Sequence, residues 1–387
     1  IGTSQMVAPA VAALLNGTAG TTLEMDEGNQ FCKGHPGMHV IPAALAEAAR
    51  LNVGGTPVSG RALLSAIALG YEAAARVGIA TALRPSMHPH GTWGAIGAVA
   101  AVLRLRGADS DAIREGMNIA ASLGLTTSRR TMLEGGTVRN VFAGVSNQMG
   151  LLAADMVGSG FCADRDGVGH VFGKVASESF RAEELSLDLG DRWEVMRNYF
   201  KMHSCCRYNH ATLDVLAMLR AQEPGLAPDQ VEHVTVDTYS LAVELDDPAP
   251  RNVLAAKFSV PFAVATVLKL GSSDVQSFTM DKVQDAETLA LAQRVTVRED
   301  PALTAQLPDK RPARVTIRLK DGRTLSAETQ SNRGDWADPY PPGEIHQKYQ
   351  SLTARLWSAD QAETVWDAIA ALPDVPDTSA LFTRISG

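Results

Sequence analysis

Apolar positions recur every three or four residues through the first half of this chain. Val40, Ile41, Ala44, Leu45 and Ala48 share one helical face, and GRALLSAIALGYEAAARVGIATAL and WGAIGAVAAVLRLRG keep the same spacing. Each such stretch predicts a helix. Many inward positions are Ala or Gly, which lets helix axes approach closely. PAVAALLNGTAG predicts a further helix that stops at Gly17. SDAIREGMNIAASLGL opens on Ser110 and Asp111, as a helix N-terminus does. NVFAGVSNQMGLLAADMVGSG predicts a helix ending at Gly158 or Gly160.

Past about residue 225 the period changes. VEHVTVDTY alternates as a strand does. In ARVTIRLKDGRTLSAETQ, Val315, Ile317 and Leu319 alternate, Asp321-Gly322 makes a tight turn, and Leu325 and Ala327 resume the alternation. That is a hairpin. Two helices are expected between these segments, around 254–270 and 281–294, and helix returns from about 343. The expected fold is mainly α. A large helical domain, residues 1–196 plus 333–387, is interrupted by a smaller inserted α+β domain at 197–332. There is no internal repeat and no low-complexity segment.

Composition narrows the partners. With 387 residues and 45% apolar content, the chain can build a sizeable core. A net charge of −8 argues against nucleic acid as the main partner. Four cysteines in so long a chain do not form a disulfide framework, which points to a reducing compartment and so to the cytoplasm. Charge or glycine interrupts the apolar runs, so no membrane span is expected. No signal peptide is visible, and the chain opens on Ile1 within apolar sequence, so a preceding segment is expected.

Five stretches could carry chemistry. In LEMDEGNQFCKGHPG, Glu24, Asp26 and Glu27 stand near Lys33 and His35, just before a helix whose positive end disfavours a protonated imidazole. His35 is a candidate general base there, or else a cap on a solvated acidic loop. In RPSMHPHGTWG, His88 and His90 could ligate a metal, but the usual remaining ligands are not nearby and a polar cleft loop is the alternative. In TTSRRTMLEGGTVRNVFAG, Arg129, Arg130 and Arg139 surround the Gly135-Gly136 turn at a helix start, with Thr137 as cap. This suggests an anion pocket with arginines that hold carboxylates in bidentate fashion, against plain surface charge. In NYFKMHSCCRYNHATLD, Lys201, His203, Cys205, Cys206, Arg207 and His210 crowd together. Adjacent cysteines lack the spacing of a zinc site, and a buried pair with Lys201 and Arg207 reaching a cleft is the alternative. In AAKFSVPFAVATVL, Lys257 and Ser259 precede an apolar helix and read as its start.

Taken in order, NGTAG…LEMDEGN…GHPG…PAALA, HPHGTWGAIGAVAA, GGTVRNVFAG, FKMHSCCRYNH, AKFSVPFAVA and RGDWADP make the whole chain similar to the MmgE/PrpD family. That family includes 2-methylcitrate dehydratase, cis-aconitate decarboxylase and iminodisuccinate epimerase. The resemblance implies a large all-helical domain with a smaller α+β lid, a homodimer, a site between the two domains, and no metal, iron–sulfur cluster or other cofactor. It implies roles for His35, His88, Lys201 and the acidic motif, with Glu24 in place of the first Asp. Three positions depart from the family pattern. Gly20 stands where a His is usual. Arg139 with Phe142 replaces a Lys followed by a His. Phe262 stands where a Tyr is common.

The activities of that family all perturb a carbon beside a carboxylate, and the resulting negative charge must be held by fixed cations. Arg139 and Lys201 are expected to hold it, with Arg129 or Arg130, Lys33 and Arg207 binding carboxylates. His35 is the expected base, Glu24 or Asp26 its orienting partner, and His88 the acid for a leaving hydroxyl. The expected function is a dehydratase-like lyase of a small di- or tricarboxylate. An epimerase, or a non-catalytic carboxylate-binding protein on the same fold, is the alternative.

Overall fold

The computed structural model describes residues 1–386. It is mainly α, with 18 α-helices and several small sheets among the described residues. Seven helices build the N-terminal body: α1 (Pro9–Thr22), α2 (Pro36–Val53), α3 (Gly60–Ala80), α4 (Gly94–Leu105), α5 (Ser110–Ser122), α6 (Arg129–Leu133) and α7 (Phe142–Gly158). α4 is buried along nearly its whole length and is the hub on which α2, α3, α5 and α7 pack. Its apolar residues lie all round the helix, as a central helix requires.

Small residues set these contacts. A Cβ placed on Gly97 of α4 would meet the Gly70 carbonyl oxygen of α3 at 2.4 Å, and one on Gly70 would meet the Gly97 oxygen at 2.5 Å. The same logic corrects the expected end of α1. Gly17 lies inside the helix, where a Cβ would press on the Gly144 backbone and the Asn147 amide of α7. That glycine serves close packing rather than termination. α3 corrects another expectation. It is 21 residues long and apolar enough, by length and composition alone, to cross a membrane. Here more than half of that stretch is buried, with its Glu72–Arg76 ion pair buried and closed at 2.6 Å.

The second half carries a four-stranded sheet. Its strands are β5 (Val231–Thr238), β6 (Val295–Glu299), β7 (Ala313–Leu319) and β8 (Thr324–Thr329), in the order β6-β5-β7-β8. The β7–β8 hairpin turns at Asp321-Gly322, and Gly322 has φ +88°, as such a turn requires. β6 pairs with β5 in parallel; its alternation, Val295 and Val297, went unread in sequence behind the preceding helix. Inward residues Val234, Val236, Val315 and Ile317 form a second core with Leu213, Leu216, Phe262 and Phe278. Ser259 caps and restarts the chain between Val253–Lys257 and Val260–Leu270, so the helix expected at 254–270 is two pieces. The C-terminal helices return to the body, where the Thr378 amide donates to the Val58 carbonyl and the Gly60 amide to the Val375 carbonyl.

Three short pairings tie the halves to the site. β1 (Glu27–Asn29) pairs antiparallel with β4 (Asn198–Phe200), and β2 (Thr81–Leu83) with β3 (Ser177–Phe180). The first sets the acidic motif beside Lys201. The third, an isolated bridge between Met87 and Ser128, fastens the HPH loop to the segment carrying Arg129.

Candidate active site

α1 ends two residues before Glu24, which takes φ +54° at a position where helices usually place glycine. A non-glycine residue there is strained and persists only where its surroundings fix it. Two cations do so. Lys201 Nζ donates to Glu24 Oε2 at 3.0 Å and to Asp26 Oδ1 at 2.8 Å, and the Arg139 guanidinium pairs with Glu24 Oε1. All four side chains are buried. Burial alone would raise the Glu24 carboxyl, but Arg139 and Lys201 outweigh it and hold Glu24 well below the usual carboxylate range. Burial likewise works against the Lys201 ammonium, yet Asp26 and Glu24 raise it above its ordinary value.

His35 is the N-cap residue of α2, and Pro36 starts the helix. Its Nδ1–H donates to the Glu27 carbonyl, with Asp26 Oδ2 3.1 Å away. That fixes the tautomer, and Nε2 is left with its lone pair. Burial pushes the imidazole down to about 4; Asp26 opposes this and Lys201 adds to it. His35 is therefore neutral at physiological pH.

His88 has the opposite tautomer. Its Nδ1 accepts the His90 backbone N–H at 3.0 Å, so Nε2 carries the proton. Burial, then the Arg139 and Arg129 charges, hold it well below the usual histidine range. A neutral imidazole bound in this way can donate a hydrogen bond but cannot readily give up its proton. The tautomer suits His88 to hydrogen-bond donation from Nε2 rather than to the acid role expected of it. His39, on α2, donates from Nδ1 to the His35 carbonyl and accepts the Gly91 N–H at Nε2, which pins the HPH loop to α2. His90 stands between them, with ring centroids 4.6 Å from His35, 5.0 Å from His39 and 4.8 Å from His88. Neither of its ring nitrogens has a partner within the protein.

These groups open on a cleft between the body and the β-containing half. Glu24, Lys33, His35, His88, His90, Arg129, Arg139 and Arg207 border it. So do Tyr199, Cys206, Tyr208, Phe258 and Arg311. The cleft thus gathers seven of the ten residues singled out in sequence. Asp26 and Lys201 lie one layer behind, where they orient His35 and Glu24 without bordering the cleft. Arg130 does not take part: its side chain is 82% exposed and pairs with Glu134 one turn on. The Gly135-Gly136 turn is no anion pocket either. The Gly135 carbonyl accepts from Asn252 of the β-containing half, and the residues after Gly136 form a short 3-10 turn without a Thr137 cap.

Backbone pairing explains several of these positions. Gly28 faces Tyr199 across β1–β4, and a Cβ there would meet the phenol at 2.4 Å. Tyr199 packs under the Arg207 guanidinium at 4.4 Å and edge-on to His35 at 6.2 Å. Arg207 is paired with Asp335. Arg129 is held by Glu244 at 2.6 Å. The departures noted in sequence also find places. Met38 sulfur occupies the space beside Gly20, 2.5 Å from where a Cβ would stand. Phe142 lies 6.4 Å from the His88 ring, and Phe262 packs on Phe278 in the second core, away from the cleft. Lys257, read as an ordinary helix start, is buried against Leu23, donating to its carbonyl at 2.7 Å and to Ser204 Oγ at 3.0 Å.

Sequence reading missed Arg311, Tyr199 and Tyr208. Tyr199 had a signal, the extended NYF just before Lys201. Tyr208 had one too, its place beside Arg207 in the same stretch; Arg311 had none, because only folding brings it to the cleft. Among the described residues, no three His, Cys, Asp or Glu side chains are placed to hold one metal ion.

Residues 1–176 match the family model described as the MmgE/PrpD N-terminal domain, and residues 203–374 match the MmgE/PrpD C-terminal domain. Cis-aconitate decarboxylase of Aspergillus terreus is 23% identical over 411 residues, covering 100% of this chain and 83% of that protein. The proteins of the same name from Mus musculus and Homo sapiens are each 23% identical over 401 residues, covering 98% of this chain and 79% and 80% of theirs. These relatives are enzymes named for a small tricarboxylate. The chain belongs to the MmgE/PrpD family.

Proposed function

We propose that this chain is a lyase of the dehydratase type that acts on a small di- or tricarboxylate, with His35 as the base. One observation carries this reading. A neutral imidazole, held at Nδ1, keeps a free Nε2 in a cleft walled by basic side chains. Such a nitrogen is suited to remove a proton beside a carboxylate. Arg139 and the His88 Nε2–H are the donors for the charge that builds on that carboxylate. The electron pair of the broken C–H bond forms the double bond and expels the hydroxyl from the neighbouring carbon. His35, now an imidazolium, returns its proton to the departing oxygen as water. The proton count closes on one residue, which accommodates a His88 that keeps its own proton. In this reading the β-containing half, residues 197–332, is a lid that brings Arg207, Tyr208 and Arg311 to the substrate.

A second reading, decarboxylation, is favoured by the relatives named for it. There the pair left by CO2 must be protonated, and no base is needed at the start. One assay separates the two. Purified protein is incubated with 2-methylcitrate, citrate and cis-aconitate, with ultraviolet absorbance and CO2 release followed together. The dehydratase reading expects an unsaturated product from a hydroxy acid without CO2. CO2 from cis-aconitate alone would replace it with the second reading. Solvent deuterium entering the α-position without loss of water or CO2 would point to epimerisation. Binding without any turnover would point to a non-catalytic role.

A further inference from the structure

Five basic side chains border the cleft: Lys33, Arg129, Arg139, Arg207 and Arg311. Three already hold a carboxylate of the protein, Arg129 with Glu244, Arg139 with Glu24 and Arg207 with Asp335. Lys201, behind the wall, is matched by Asp26 as well as Glu24. Lys33 and Arg311 differ. Among the described residues, no Asp or Glu lies within ion-pair distance of either. Arg311 is the sharper case. It is 3% exposed, its Nη2 donates to the Gln30 carbonyl at 2.9 Å, and its Nε has no partner. Its guanidinium lies over the Tyr208 ring at 5.3 Å.

Burial works against the Arg311 guanidinium, and what offsets it is not a carboxylate in contact but the Tyr208, Tyr239 and Tyr199 side chains and the more distant Asp335. Lys33 stands beside that guanidinium, but as an exposed residue it is solvated and needs no counter-ion of its own. It takes φ +58° in the turn after Asn29, and partial burial, then Arg311 and Arg129, hold its ammonium below its ordinary value. Both side chains also border a neighbouring cleft, with Gln30, Phe31, Leu307 and Pro308 on its wall. They therefore stand at the junction of two spaces.

Resting on the carboxylate-lyase reading of this cleft, we propose that Arg311, supplied by the β-containing half, recognises a second carboxylate of the substrate together with Lys33. The substrate then carries at least two carboxylates. One lies beside the carbon that faces His35, and the other supplies the counter-ion that Arg311 lacks. With Nη2 on the Gln30 carbonyl, Nε and Nη1 remain as donors without a partner among the described residues, and a carboxylate can accept from them.

The test reads binding rather than turnover. Isothermal titration of the full chain with tricarballylate, glutarate and butyrate gives the affinity as carboxylates are removed. Wild type should bind tricarballylate and glutarate well above butyrate. Arg311→Gln should weaken tricarballylate and glutarate roughly 10- to 100-fold, the scale of one charge-assisted hydrogen-bonded pair, and leave butyrate within about 2-fold. Arg311→Lys should recover part of the loss. Gln30→Ala removes the amide bonds to the Pro308 and Asp309 carbonyls that latch the same loop, yet leaves the charge in place. It should keep the wild-type preference. Equal weakening of all three anions by Arg311→Gln, or a Gln30→Ala variant that loses the preference as fully, would make Arg311 a structural latch and overturn the proposal. No step depends on catalysis. A protein without turnover that shows this pattern would sink the lyase reading alone, and an active protein without it would sink only the Arg311 assignment.

Discussion

In the proposed reaction His35 concentrates the chemistry because its two nitrogens are treated differently. One is tied to the Glu27 carbonyl beside Asp26, and the other faces the cleft. His35→Asn should lower kcat at least about 10³-fold while leaving tricarballylate affinity within a few-fold, since a general base contributes on this scale and a binding group does not. Steady-state kinetics beside calorimetry would separate the two effects. The pH profile follows from the same burial. With His35 pushed down to about 4, the base is neutral above that value, so kcat/KM should show no acid limb near 6.5, where an unperturbed histidine would put one. Stability has its own window. His35, His39, His88, His90 and His210 are all buried and held below the ordinary 6.5. Below that pH the unfolded chain takes up protons that the folded chain refuses. Their contribution is therefore complete above about 6.5 and is lost as pH falls below it, over a range that reaches about 4 for His35 and His39. A melting temperature that stays flat between pH 7 and 5 would contradict it. At this scale the motif residues Glu24, His35 and His88 were legible in sequence. The distinction between Lys201 behind the wall and Arg207 on it was not, because both lie in one segment and only the β1–β4 register separates them.

Elements place these residues by close approach. Gly70 and Gly97 let α3 and α4 touch at backbone distance, and Gly97→Val should destabilise by about 2–3 kcal/mol through overpacking, measured by urea unfolding. A neutral result would mean that the helices can part there. The C-terminal helix Pro342–Thr353 reaches the acidic motif, where Lys348 Nζ donates to the Met25 carbonyl at 2.6 Å. Burial pushes that ammonium down to about 8. Lys348→Met should loosen the strained turn at Glu24 and lower kcat about 10-fold with little change in KM; a change in KM alone would count against this positioning role. Helical periodicity predicted α2, α3, α4, α5 and α7 well, because each buries a continuous apolar face. It failed at Gly17, where a glycine that usually ends a helix instead admits a neighbour, and at β6, a short strand whose alternation covers only Val295 and Val297.

The whole molecule sets one half against the other across the cleft. Arg129, Arg139, His35 and His88 come from the helical body, while Arg207, Tyr208 and Arg311 come from the half that carries the sheet. Arg311 lacks a protein counter-ion among the described residues, as does Lys33, which also borders the cleft, so polycarboxylate affinity should fall as salt rises from 0.05 to about 0.5 M, more steeply than that of a monocarboxylate. Equal slopes would contradict the charge assignment. The order of the halves was legible in the change of period near residue 225. Their meeting at Arg311 was not, since DKRPARV carries no motif and its arginine gains meaning only opposite Gln30 and Lys33. The most direct measurement is the ultraviolet absorbance of wild type and His35→Asn incubated with 2-methylcitrate and citrate. An unsaturated product from wild type that falls at least about 10³-fold in the variant is the predicted result. Turnover of a hydroxy acid that survives in His35→Asn would contradict the account at its centre.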